Sequence, residues 1–527
     1  MSNLQSSPSA FDIYFININQ LAYQFNKLIH LDNEFNNQLQ NISAQSLELM
    51  NEYQSLHPSY KLMISYLSSQ QQQQQQQQQI TNTDNKLSEF NESWACKIIE
   101  SFESSKSELD DDIAKYNSQN QGLKPEESAK LYTQIKSIVI KLIIQTNYQD
   151  AITYLNHYTN LVDFSNQPKT KEVFISNRYI EFLFLKYVIN LFNLVWFPSS
   201  VSETNELSGD INASSSVSSS SFKTLTKLYN LSTTYHTKNI AWFNEQDDET
   251  KYYWLLKLFN LSIIFKQFQF VEFYNDFTTL LLSKNESSNY LITTFLQNQP
   301  LLKRNLMVMY SIVLVFVKPF NVLKSINIEN EDIIDLFNED PRSIEYKFYN
   351  AIINPLSKFD IIEVKTQLNN KLLNFEIISS IGYLLPTSST TKVSNIFSFL
   401  EYLNKIIDFK NFLLVLSNID RISKLQLLKL LGYNVDDTSP EYVENLNEIT
   451  QMLITIMSAL QLGKVGIKYL IAEEVFVNDS NDPKFDLEVA QNQEEIDELT
   501  TNLKSDSICA LITNILTEKY SQIEESN

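Results

Sequence analysis

Glycine is scarce in this chain. Six glycines serve 527 residues, and a backbone with so few positions free to take positive φ is restricted to elements that seldom need it. Long helices joined by tight turns meet that limit; a turn-rich sandwich or barrel does not. Three of the six, Gly432, Gly463 and Gly466, fall between Asn411 and Asn478, so the helical run is expected to break there.

The order of elements in that stretch is readable. An apolar helix over Phe412–Ile419 precedes Ser423–Leu431, where Ser423 is a fitting N-cap and Gly432 a fitting stop. Asp436–Pro440 makes a polar turn, with Pro440 placed to open the amphipathic run Glu441–Leu462. After Gly463 the period changes to two: Val465, Ile467 and Tyr469 alternate with small or polar partners, Ala472–Glu474 turns, and Val475–Val477 returns. Three helices and a hairpin predict a winged helix. Its third helix would enter a DNA groove, yet no Lys or Arg lies between Lys429 and Lys464, while Glu441, Glu444 and Glu448 lie on that helix. Phosphates would be repelled, so the module is expected to join proteins rather than read nucleic acid.

A winged helix ending in the apolar hairpin Gly466–Val477, left through Val477–Pro483, followed by an amphipathic stretch and preceded by paired helices, resembles the PCI family. That family supplies scaffold subunits to the proteasome lid, the COP9 signalosome and translation initiation factor 3, and the Asp/Asn/Pro-rich exit is most similar to its signalosome branch. The resemblance implies a non-catalytic subunit whose partners are other PCI-type subunits, met through winged-helix edges and a bundle of C-terminal helices. It implies partner contacts at Val465, Ile467, Tyr469, Val475 and Val477 on the hairpin, and at Leu499, Leu503, Leu511 and Ile515 on the last helix. The apolar stripe of that helix, Glu494–Tyr520, has a second reading at this stage: it packs back on its own winged helix. A lid or initiation-factor subunit, or a vesicle-tethering helical solenoid without a PCI domain, are the alternatives.

Upstream, the sequence reads as stacked amphipathic helices. Phe11–His30, Leu47–Tyr66 and Lys86–Phe102 come first, then Leu131–Ile144 answered by Ala151–Val162 across Asn147–Asp150. This is the grammar of a tetratricopeptide-like solenoid without a strict repeat. Further helices are expected at Phe174–Phe197, Tyr252–Phe265, Phe268–Leu282, Tyr290–Gln297, Leu301–Phe316, Ile344–Leu356, Ile361–Asn369, Phe375–Leu384 and Val393–Ile407. Gln70–Gln79 is expected as a solvated loop, and the Ser-rich stretch 199–221 as an inserted disordered one. The expected organisation is all-α: N-terminal helices over 1–121, a helical-repeat solenoid over 122–340, a PCI domain over 341–480 with its winged helix at 411–478, and a linker with an assembly helix over 481–527.

Charge and chemistry narrow the function. The formal charge of −21 opposes nucleic acid or an anionic membrane as a general partner. The two cysteines, Cys96 and Cys509, can form neither a disulfide framework nor a zinc cluster, and each is expected to be buried. The N-terminus lacks signal-peptide character, which predicts cytoplasm and nucleus. The apolar run Tyr179–Phe197 carries polar residues, and Leu306–Val317 is short against roughly 30 Å of hydrocarbon, so both are expected as buried helices. The histidines, His30, His57, His157 and His236, show no metal-ligand spacing, Asp110–Asp112 lacks a calcium-loop pattern, and no phosphate-cradling glycine loop is present. No enzyme activity, metal or cofactor is expected.

Overall fold

The computed structural model describes residues 13–29, 36–75, 92–118, 125–161, 178–197, 213–240, 243, 248–283, 286–320, 322–323, 343–370, 373, 377, 381–385, 394–433, 435, 440–459 and 466–478. They are mostly helical, with three short strands. The chain divides into two compact units, Met1–Asn260 and Leu261–Asn527.

The first unit contains α1 (Tyr14–Leu28), α2 (Asn36–Glu52), α3 (Tyr60–Gln75), α4 (Glu92–Ser118), α5 (Pro125–Ile144), α6 (Tyr148–Leu161), α7 (Tyr179–Leu191), α8 (Ala213–Lys238) and most of α9 (Asp248–Lys266). Sequence neighbours pack on one another: α1 on α2, α2 on α3, α4 on α5, α5 on α6, α6 on α7 and α7 on α8, while α1 also meets α5. α5 and α7 bury side chains around more than one face, which one neighbour cannot cover, so each is packed by several. Tyr132, Tyr158, Phe184, Tyr187 and Phe192 are fully buried in the core. Some polar groups within it find partners across helices, while others, among them Gln20 Oε1 and Ser46 Oγ, are buried without a hydrogen bond. Asn19 on α1 donates to the Phe15 and Ile143 carbonyls at 2.7 and 3.4 Å. Buried Glu181 on α7 pairs with Lys136 of α5 and, at 3.5 Å, with Arg178, and the Lys136 ammonium reaches the Tyr252 hydroxyl at 3.2 Å.

Two expected loops differ from what forms. Gln70–Gln75 continue α3, since glutamine sustains a helix that is already nucleated. Residues 213–221 of the Ser-rich stretch form the opening of α8 for the same reason: elongation costs far less than nucleation. Residues 76–79 and 199–212 lie outside the described residues. Cys96 is exposed rather than buried: in α4 the inward positions are Ala95, Ile98 and Phe102, which leaves position 96 facing out.

The second unit contains α10 (Phe270–Leu281), α11 (Glu286–Tyr290), α12 (Pro300–Val317), α13 (Ile344–Phe348), α14 (Ile361–Leu368), α15 (Ser394–Asn418), β1 (Arg421–Ser423), α16 (Lys424–Leu430), α17 (Pro440–Ala459), β2 (Ile467–Leu470) and β3 (Val475–Asn478). Single π turns follow α11 at Leu291–Phe295 and α13 at Tyr349–Ile353, as another follows α7 at Phe192–Trp196. α12 lies at the centre, packed by α10, α13 and α15. Both α12 and α7 with its π turn have the length and apolarity of a membrane span, but 83% and 72% of those stretches are buried inside the protein, which accounts for their composition. The two helices expected at Val393–Ile407 and Phe412–Ile419 are one, α15. No Gly or Pro interrupts residues 394–418, so nothing local ends the helix between the two expected ones.

Glycine scarcity shows in how helices stop. Among the described residues, five helix ends close with the same pair of bonds, in which a residue in the left-handed region donates three residues back and its successor five back. These residues are Gln54, Thr146, Phe268, Phe359 and Gly432, with φ of 47°, 60°, 57°, 61° and 83°. At Thr146, for example, the Asn147 amide donates to the Leu142 carbonyl at 2.9 Å and the Thr146 amide to Ile143 at 3.1 Å. Only one of the five has the residue type that takes this conformation without steric cost. Thr146 is exposed, so its side chain contributes no packing to offset the strain. Thr146→Gly is expected to raise unfolding stability by about 1 kcal/mol, measured by urea denaturation.

His57, in the turn between α2 and α3, is buried, and its Nδ1 accepts the Ser59 amide at 3.1 Å. Burial lowers its pKa from 6.5 to about 4, so the unfolded chain takes up the proton first. Its contribution to stability is whole above pH 6.5 and is lost as pH falls toward 4. Unfolding free energy should therefore decline by up to about 1.4 kcal/mol per pH unit across that window on account of this group. His57→Asn, which keeps an acceptor for the Ser59 amide, is expected to show a shallower decline by that amount in paired pH-dependent denaturation profiles.

Candidate functional site

The three strands form one antiparallel sheet in the order β1-β3-β2. Arg421 faces Val477 and Ser423 faces Val475 across one ladder; Lys468 faces Val477 and Leu470 faces Val475 across the other. β1 was not foreseen. It is three residues long, and Ser423 within it also caps α16: its hydroxyl accepts the Gln426 amide while the Gln426 side chain returns to the Ser423 amide. The cap was legible; the strand was not, because its partner lies more than fifty residues on.

β1 changes what the hairpin can offer. β3 is the central strand, with both ladders occupied, so of the two hairpin strands expected to pair with a neighbour Val475–Val477 has no edge left, and β2 is the outer strand of the hairpin among the described residues. Alternation places Ile422, Phe476 and Tyr469 on the inner face. There Phe476, 1% exposed, meets Phe412 of α15 at 5.3 Å and Tyr469 at 4.5 Å between ring centroids. The outer face carries Arg421, Val477 and Lys468 in one row and Ser423, Val475 and Leu470 in the next. Beyond them the turn Ile471–Glu474 holds Ile471 80% exposed and Glu474 at φ 51°. Gly466, at φ 88°, opens β2. Arg421 pairs with Glu473, and Lys424 reaches Glu474 at 3.7 Å and Asn447 of α17 at 2.9 Å.

Of the expected site residues, Ile467 and Tyr469 lie on β2, and Val475 and Val477 on β3. Val465, Leu499, Leu503, Leu511 and Ile515, with Gly463, lie outside the described residues, as does the whole stretch after Asn478. Among the described residues no three His, Cys, Asp or Glu side chains converge. His236 stacks on Tyr253 at 3.8 Å, and burial and then Lys257 lower its pKa to about 4, so it is a neutral aromatic neighbour at pH 7.

The helix on which the sheet packs, α15, is tied to its neighbours by a polar turn. The Lys410 ammonium donates to the Val315, Phe316 and Lys318 carbonyls at 2.6, 2.8 and 2.8 Å, closing the end of α12. Asp408 pairs with Lys365 of α14 at 2.6 Å and accepts the Tyr433 hydroxyl, and Lys365 also sits 3.5 Å from the centre of the Tyr433 ring. The Asn411 amide donates to the Leu430 carbonyl at 3.4 Å. At the far end of the helix, Asn478 of β3 donates from its side chain to Leu416 at 2.7 Å and from its backbone to Asp420 at 2.8 Å. Gly432 is required twice over: its φ is 83°, and a Cβ there would stand 3.3 Å from Lys365 Cδ. The signal for this node was present in Asp408 and Lys410, two charged residues inside an apolar helical run, where charges are buried only if partners meet them.

A scan of protein-family models matches none for this chain, and a search of curated proteins finds no relative.

Burial raises the Asp408 carboxyl and lowers the Lys365 ammonium, each against the pull of the other, so the pair is held by geometry at a desolvation cost. Lys365→Ala is expected to cost about 3–5 kcal/mol by stranding the carboxylate, while Lys365→Met combined with Asp408→Leu recovers most of it. Guanidinium titrations of the two variants and the wild type give the comparison.

Proposed function

We propose that this chain is a non-catalytic scaffold subunit of a PCI-type assembly, of the kind of the third subunit of the COP9 signalosome, acting in cytoplasm and nucleus. The observation that carries the reading is the order helix, strand, helix, helix, hairpin, with the sheet order β1-β3-β2, at the end of a long helical chain. We read that order as a winged helix, and the packing of helices on sequence neighbours upstream supports a solenoid. The lack of any Lys or Arg between Lys429 and Lys464 favours a protein joint over a nucleic-acid reader. In this reading the outer edge of β2, Ile467–Leu470, pairs with a sister subunit, and Glu494–Tyr520 joins the helices of other subunits. The assembly removes a ubiquitin-like modifier from cullins, with the chemistry in another subunit, and this chain contributes shape and contact.

Affinity purification of the full chain with identification of co-eluting proteins tests this. PCI-type signalosome subunits are the expected companions, and lid, initiation-factor or vesicle-tethering companions would replace the reading with the corresponding one. Leu470→Lys with Ile471→Lys, which charges the outer strand, is expected to abolish co-elution while leaving the circular dichroism of the chain unchanged. Undiminished co-elution would remove β2 from the interface.

A further inference from the structure

Several cations that this fold draws out of water meet an anion or a group of carbonyls there. Lys136 meets Glu181, Lys365 meets Asp408, and Lys410 meets three carbonyls at the end of α12. Arg304, on the second turn of α12, does not. It is partly buried, and burial lowers its guanidinium from the ordinary value, against the pull of Tyr383 and Glu345. Its Nε and Nη2 both donate to one neutral acceptor, Asn305 Oδ1, each at 3.4 Å. Among the described residues its hydrogen bonds end there, and Glu345 draws on it without an ion pair. The neighbouring groups are held in place. Buried Asn305 donates from Nδ2 to the Tyr383 hydroxyl at 2.6 Å, which fixes Oδ1 as the end turned to Arg304, and Lys266 donates to the Tyr383 carbonyl at 3.0 Å.

We propose that Arg304 is the receiving group of a site for a small oxyanion, a phosphate or a carboxylate, taken end-on. A guanidinium is a planar fork of five N–H donors with two usable edges. Nε–H and the adjacent Nη2–H form the side edge, and Asn305 occupies it. The end edge, one N–H from each Nη, is the pair that meets two oxygens of one anion in parallel. Charge in the neighbourhood agrees. Glu345 is the carboxylate that acts on both Lys303 and Arg304, so two positive charges stand against one. Burial strengthens the contact, because a guanidinium already stripped of part of its hydration gives up less when an anion arrives. A recessed head group also suits a solute of a few atoms better than the surface of a folded partner. The site gives a ligand to a chain whose proposed role has none, and it stands independently of the scaffold reading.

Titration calorimetry of the full chain with inorganic phosphate, and separately with acetate, at an ionic strength held constant with sodium chloride, tests this. One saturable site per chain is expected for at least one of the two. Phosphate alone identifies a phosphoryl ligand, acetate alone a carboxylate, and both a site open to either. Arg304→Gln is expected to weaken the binding about tenfold or more, while Lys97→Gln, at an exposed lysine on α4, leaves it unchanged. Arg304→Lys keeps the charge and loses the fork, so it is expected to fold with unchanged circular dichroism and still bind more weakly than the wild type. The proposal is overturned if neither anion gives a saturable heat, or if Arg304→Gln or Arg304→Lys binds as tightly as the wild type. These titrations use the chain without other subunits, so their failure leaves the purification result untouched, and the reverse.

Discussion

Lys410 is the side chain on which the second unit depends most. Its ammonium sits among the carbonyls at the end of α12, beyond the last bond that the helix makes to its own backbone, where acceptors in an apolar interior need donors. Charge-assisted hydrogen bonds of this sort contribute about 1.5–3 kcal/mol each, and here three converge on one cation. Two residues earlier, Asp408 draws α14 and the turn at Tyr433 to the same helix. One turn of α15 thereby joins the central helix, its neighbour and the stop of α16. The sheet hangs from the other end of that helix through Asn478 and through Phe476 packed on Phe412. Apolar burial supplies most of the stability; the polar turn decides which way the parts face.

Much of this was legible in the residues, and what was missed has identifiable causes. Ser423, Gly432, Pro440, the period change after Gly463 and the turn before Val475 marked their elements because each reflects local conformation: a cap, a left-handed residue, a fixed φ. β1 escaped because a three-residue strand has no periodicity of its own and exists only where β3 pairs with it. The partners of Asp408 and Lys410 escaped because charged residues in an apolar run look the same whether they reach solvent or buried partners; only the positions of Lys365, Tyr433 and the end of α12 distinguish the cases. The glutamine and serine runs were read from composition, which describes an isolated segment better than one joined to a stable helix.

The added strand alters the functional argument more than its length suggests. Had the hairpin stood alone, either of its strands could have accepted another chain. With β1 in place the central strand is satisfied on both sides, so in the proposed reading a partner would meet either the outer strand β2 or a side-chain face built from Val475, Val477 and Leu470. These are different chemistries. An edge recognises any extended chain and takes specificity from flanking side chains, whereas a face of mixed valine and cation selects an amphipathic surface.

The helix stops at Gln54, Thr146, Phe268 and Phe359 have a mechanical consequence. Each holds a bulky residue in a conformation it gives up at a gain of about 1 kcal/mol when the end of its helix opens. The joints between helices are thus set slightly under tension while the helix middles are relaxed. A pulling force, or gentle warming, should part such an array at its corners first and leave intact rods between them. Within each unit, this confines the give to a few places and spares the packed interiors.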